Sequence, residues 1–159
     1  SNCLKTQRMK KKKRKRNNRM NRTEARELLM QMVFQMEAQG DSSDELMKTL
    51  YEDHKGIHRR DKEYIEAEFS LIRSHIDDID ELIDKDSERW KASRMPKSDL
   101  AVARVAVCEL TYCDDIPDAV AINEAVDLAK KFGSSDDSPK FINGLLGKIA
   151  REKTCPEKI

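Results

Sequence analysis

Apolar residues recur along this chain at intervals of three and four, the spacing of helical faces and not of strands. Ile65, Phe69, Ile72, Ile76, Ile79 and Ile83 alternate spacings of four and three, which predicts one long helix over about 62–84 with a core-facing stripe. Ala25, Leu29, Met32 and Met36 give the inner stripe of a first helix over about 23–38, with Thr23 as its cap. Leu46, Leu50 and Tyr51 mark a shorter helix over about 43–52, after the turn that starts at Gly40. Leu100, Ala103, Val107 and Leu110 stripe a helix over about 98–112. Ala101, Val102, Val105 and Ala106 make that helix apolar nearly all round, so it is predicted to be the central one. Arg104 in such surroundings needs a carboxylate partner. Residues 86–90 read as a short helical turn, with Trp90 as a packing anchor.

The stretch 116–149 organises the rest. Pro117 suits the first turn of a helix whose apolar face is Ala121, Ala125, Leu128 and Phe132. Gly133 fits a left-handed closing position, and Ser138-Pro139 reads as an N-cap followed by proline at the first helical position. Ile142, Leu145, Leu146 and Ile149 form the next stripe, in which Gly144 and Gly147 leave gaps where another backbone can approach. The expected fold is all-α, with two small helical subdomains packed together.

Charge changes this picture at one end. The net charge of the 159 residues is only +1, yet residues 1–26 hold twelve Lys/Arg and one acid, leaving 19 basic against 29 acidic residues in the remainder. Lys10 to Arg16 is an unbroken basic run. Like charges at this density oppose folding, so 1–19 is expected to be a disordered basic tail, 20–153 the helical domain and 154–159 a C-terminal tail. Ser1-Asn2 reads as a scar of tag removal and stands outside the argument. The tail serves either as an RNA-attracting arm or as a solubilising segment. Glu66, Glu68, Asp77, Asp80, Glu81 and Asp84 read as a solvated acidic face on the long helix.

Catalytic patterns are missing from the sequence: no P-loop, GxGxxG, HExxH or nucleophile elbow. Cys3, Cys108, Cys113 and Cys155 include no CxxC and are too scattered for a zinc site; Cys108 reads as a small core residue. His54 and His58 share a metal-compatible spacing without a third ligand and read as loop residues. No apolar run approaches a membrane span and no secretory segment is evident, so a reduced, cytoplasmic binding module without cofactor is expected. Asp137-Ser138-Pro139-Lys140-Phe141 sets a hydrogen-bond acceptor, a cation and a ring at a helix start, as single-stranded RNA recognition requires; the same residues also suit a cap and a core contact. Arg22 and Arg26 oppose the dipole of the first helix, so helix stability does not explain them.

VAINEAVDLAKKFG followed by SPKFINGLLGKIA resembles the C-terminal half of the NusB family of bacterial transcription antitermination factors. Glu24-Ala25-Arg26-Glu27 leading to Gln31-Met32-Val33-Phe34-Gln35 resembles that family's first helix, and Arg104 to Leu110 its fifth. The resemblance implies about seven helices in two bundles. It further implies binding of boxA RNA in nascent ribosomal transcripts through Arg22, Arg26, Asp137, Lys140 and Phe141. A heterodimer with NusE, a small-subunit ribosomal protein, is implied through Phe34 and Asp99, with RNA polymerase and other elongation factors engaged indirectly. A rival expectation is a protein-only scaffold or homodimer that has lost RNA specificity.

Overall fold

Helix α1 (Arg22–Gln39) starts one residue earlier than its apolar stripe suggests, because Asn21 and not Thr23 caps it. Asn21 Oδ1 accepts from the Glu24 amide at 2.8 Å and Glu24 reaches back to the Asn21 amide, a reciprocal box that satisfies two end donors. Thr23 instead donates to Glu124 on a later helix at 2.9 Å. The computed structural model describes residues 20–154 apart from 41, 42 and 55; the expected tail over 1–19 lies outside that range, as does the one over 154–159 except for Thr154, which ends the last helix. Among the described residues there are seven α-helices and no strand. After α1 come α2 (Ser43–Asp53), α3 (Arg59–Ser74), α4 (Ile76–Asp86), α5 (Lys97–Tyr112), α6 (Asp118–Phe132) and α7 (Ser138–Thr154). None is long and apolar enough to cross a membrane.

The single long helix expected over 62–84 is two helices. His75 adopts φ −117° and ψ 20°, outside the helical range, while its backbone still links Leu71 and Ile79 by bonds of 3.0 and 2.9 Å. Ser74 Oγ bonds back to the Ser70 carbonyl at 2.8 Å, a pattern that bends helices, and the His75 ring stacks on Tyr112 with centroids 4.2 Å apart. The isoleucine spacing runs through the bend unchanged, so both halves still bury their stripe: Ile65, Phe69 and Ile72 on α3, Ile79 and Ile83 on α4. Glu68 departs from the acidic face predicted for it. It is 3% exposed, and burial pushes its carboxyl up to about 10.

Helix α5 is the centre, with twelve of its sixteen residues buried. It packs against α1, α3, α4, α6 and α7, so the two helical groups share one core across it. Arg104 finds the acids it needs: Nε and Nη2 reach Asp80 at 2.9 and 2.7 Å, and Nη1 reaches Glu37 at 2.9 Å. Residues 87–90 are not helical. Ser87 Oγ donates to the Trp90 carbonyl and accepts from the Trp90 amide, and a short 3₁₀ turn follows at Ala92–Arg94.

The glycines and prolines of the C-terminal segment differ from their sequence reading. Pro117 precedes α6 as its capping residue. Gly133 has φ −58°, so no left-handed conformation calls for glycine there. The requirement is space: a Cβ would lie 2.3 Å from the Ala129 carbonyl oxygen and 2.5 Å from Ser138 Cβ. Gly144 meets nothing within 4 Å, and Gly147 meets only the Arg151 side chain, so neither is a point of backbone approach within this chain. Gly133→Ala should therefore lower stability by about 1–3 kcal/mol through overpacking. Gly144→Ala should raise it by about 0.5–1 kcal/mol, the helix-interior difference between the two residues. Urea denaturation of the two variants checks the opposite signs.

Candidate nucleic-acid interface

Helix α7 opens against a preformed support. The Asp137 carbonyl accepts from the Phe141 amide at 3.0 Å, so Asp137 is the capping position and Ser138 the first helical residue. Ser138 is buried and its hydroxyl accepts from the Ser135 amide at 3.2 Å. Asp99, in the first turn of α5, accepts from the Ser134 amide and hydroxyl at 3.2 and 2.5 Å. These bonds tie the α6–α7 connection to the central helix and aim the first turn of α7.

That turn forms one wall of a groove of about 520 Å³. Lys140 and Asp137 are exposed on it and Phe141 is half-buried. The α7 wall continues through Gly144, Lys148 and Arg151; the opposite wall is Asp86 to Arg89, from the end of α4 and the turn after it. Trp90 meets Phe141 edge to face, with centroids 5.7 Å apart, and the Arg89 guanidinium lies 4.4 Å over the Trp90 ring. Lys148 leans toward the buried Asp86 at 3.9 Å. Lys140 forms no ion pair among the described residues. The groove thus offers the Phe141 ring, supported by Trp90, with several cations and the Asp137 carboxylate on one concave surface, the elements of single-strand recognition.

Arg22 and Arg26 do not line this groove. They meet at Tyr64, with guanidinium carbons 4.1 and 5.5 Å from its ring centroid. Arg22 keeps 40% of its side chain exposed and pairs with the buried Asp61 at 3.1 Å. Arg26 departs from the phosphate-contact reading, since only 4% of its side chain is exposed. Its Nε and Nη2 grip both oxygens of the fully buried Glu109 at 2.6 and 3.0 Å, Nη1 lies 3.6 Å from Glu124, and the Tyr64 hydroxyl adds a bond to Glu109 at 3.4 Å. Burial, the largest influence, would pull the Arg26 pKa down; the bond to Glu109 and the charges around it together outweigh burial and raise it, so the guanidinium stays charged. The chain leaves helix geometry aside here and spends a charge on joining α1 to α5.

The two residues implied for a protein partner also part company. Phe34 is half-buried on α1 and packs on the core, while Asp99 is wholly buried on Ser134 and presents no surface. Arg89 and Lys148 were not singled out from the sequence, and Trp90 and Gly144 were read there only as a packing anchor and a gap in a helix. Lys140, Gly144, Lys148 and Arg151 recur at four, four and three, a cationic helical face interrupted by glycine that could have flagged the α7 wall. The other wall has no such signal, because the helix bend and the Ser87 turn bring it there.

Arg26→Ala should destabilise the fold by about 3–5 kcal/mol, because it leaves Glu109 buried without its counter-charge. Arg22→Ala removes a half-exposed side chain that holds its buried partner Asp61 by a single contact and should cost less; chemical denaturation of both variants makes the comparison.

Comparisons with known proteins agree with this architecture. The NusB family model matches residues 23–151. The transcription antitermination protein NusB of Acetivibrio thermocellus is 42% identical over 134 residues, which is 84% of this chain and 91% of that protein. That of Agathobacter rectalis is 42% identical over 132 residues, 82% of this chain and all of the relative. Among solved structures, NusB of T. maritima superposes with TM-score 0.75 at 32% identity, covering 84% of this chain and 93% of that one. A chain of the complex of the antitermination factors NusB and NusE with double-stranded RNA shares the fold at TM-score 0.75 and 24% identity, covering 82% and 96%. With nearly all of its helical body matched in sequence and in fold, the chain belongs to the NusB family.

Proposed function

We propose that this protein is a cytoplasmic transcription antitermination factor, without catalytic activity, that binds single-stranded boxA RNA of nascent ribosomal transcripts together with NusE. One observation carries the reading: Phe141, backed edge to face by Trp90, lines a groove together with Arg89, Lys140 and Lys148. Family membership supplies the biological setting. Bases unstacked from the strand lie on the Phe141–Trp90 surface, and Asp137 accepts from a base amino group. Phosphates take Lys140, Arg89 and the positive end of α7. Arg22 extends the cationic surface from the other side of the bundle, and Arg26 acts through it by fixing Tyr64 and α1 in place. On the side facing NusE, Phe34 offers a half-buried ring, and Asp99 contributes by holding Ser134.

A protein-only scaffold or homodimer would need an apolar face. Val120, at 42% exposure, is the large apolar residue most open to solvent among the described residues, which gives such an interface little to bury.

The test is binding of a short boxA RNA against a scrambled control, with and without NusE, at two salt concentrations. Arg89→Glu/Lys140→Glu should weaken boxA binding more than tenfold with helicity intact. Removing two phosphate contacts should also flatten the salt dependence by about 1.4 logarithmic units per decade of salt. Phe141→Leu should erase discrimination between the two RNAs while leaving the salt slope in place. Equal affinity for both RNAs in the unmodified protein would favour the scaffold.

A further inference from the structure

Glu68 on α3 and Cys108 and Cys113 at the end of α5 converge on one another, and none of them lines the groove. Their ligand-capable atoms all lie within 4.8 Å of one another. Cys113 Sγ is 3.6 Å from Glu68 Oε1. The second oxygen, Oε2, is buried and has no hydrogen-bond partner, although the residue as a whole is 3% exposed. Packing does not account for this oxygen. Neighbouring Glu109, equally buried, has both of its oxygens engaged by Arg26 and one by Tyr64, so the protein supplies partners for one carboxylate and withholds them from the other.

We propose that Glu68, Cys108 and Cys113 bind a thiophilic divalent cation of the zinc type, clamping α3 to the C-terminal end of α5. Two sulfurs and one carboxylate suit a borderline-soft ion and not magnesium or calcium, which take oxygen ligands. With bonds of roughly 2.0–2.3 Å, tetrahedral ligands stand about 3.3–3.8 Å apart. The cluster, with its atoms within 4.8 Å, therefore needs to close by no more than about 1.5 Å. Cys113 is the half-buried member and caps α5 where the helix ends, so it gives the ion its access route and leaves one coordination position toward solvent. The cation would supply the charge that Glu68 Oε2 otherwise lacks. This site is independent of RNA binding and stands or falls without it.

Cobalt(II) is the probe, added to the full-length protein under reducing conditions. Tight binding of one equivalent with thiolate-to-metal charge-transfer bands, and displacement by zinc, is expected. Cys113→Ser and the isosteric Glu68→Gln should each weaken binding at least tenfold. Zinc should raise the thermal midpoint of the unmodified protein and not that of Glu68→Gln. A Cys3→Ser/Cys155→Ser variant should bind as the unmodified protein does. Absence of the bands, their survival in both Cys113→Ser and Glu68→Gln, or their loss in Cys3→Ser/Cys155→Ser overturns the proposal. So does a Cys108–Cys113 disulfide that forms on mild oxidation of a protein that takes up no metal when reduced.

Discussion

The bidentate pair of Arg26 and Glu109 is the constraint on which the arrangement of helices depends. Two charges removed from water cost several kcal/mol each, and only near-ideal geometry recovers it. Here both carboxylate oxygens are gripped, and Tyr64 and Glu124 complete the surroundings, so α1, α3, α5 and α6 are held by one polar node. Apolar stripes alone would let these helices slide by a turn with little loss. A charge pair does not tolerate that slip. Helix α5 repeats the device along its length: Asp99 reaches the connection before α7, Arg104 reaches α1 and α4, and Glu109 reaches α1 and α3. Each of its three buried polar side chains therefore fixes a different set of neighbours.

The groove follows from that register. Its α7 wall is aimed by Asp99 through Ser134 and by the close seat of Gly133 on Ser138. Its other wall arrives because α3 and α4 bend apart at His75 and because Ser87 folds the chain back onto Trp90. An unbent helix would carry residues 86–90 past α7, and Phe141 would lose its aromatic partner.

Much of this was legible in the sequence, for a physical reason. Helical periodicity records burial, and burial decided the elements: the all-round apolar character of residues 100–110 identified the central helix, and Arg104 within it announced its acids. The same logic did not place Arg26. Its position against the dipole of the first helix showed that helix stability does not explain it, but not that Glu109, 83 positions away, draws it inward. Glu68 was misread as one acid among many on an outer face. The bend at His75 was invisible because the isoleucines keep their phase through it. In the groove, Asp137, Lys140 and Phe141 share one stretch of local sequence, whereas Arg89 on the other wall and Trp90 behind Phe141 join them only through tertiary structure, some fifty positions away along the chain.

That separation bears on how the protein is made. The wall holding Arg89 and Trp90 leaves the ribosome well before the helix that carries Lys140 and Phe141. Until α7 docks, the growing polypeptide lacks the concave surface. A chain cut short before residue 138 would lack half of the aromatic pair and one whole wall of the groove. Completion of synthesis is thereby built in as a condition for forming that surface.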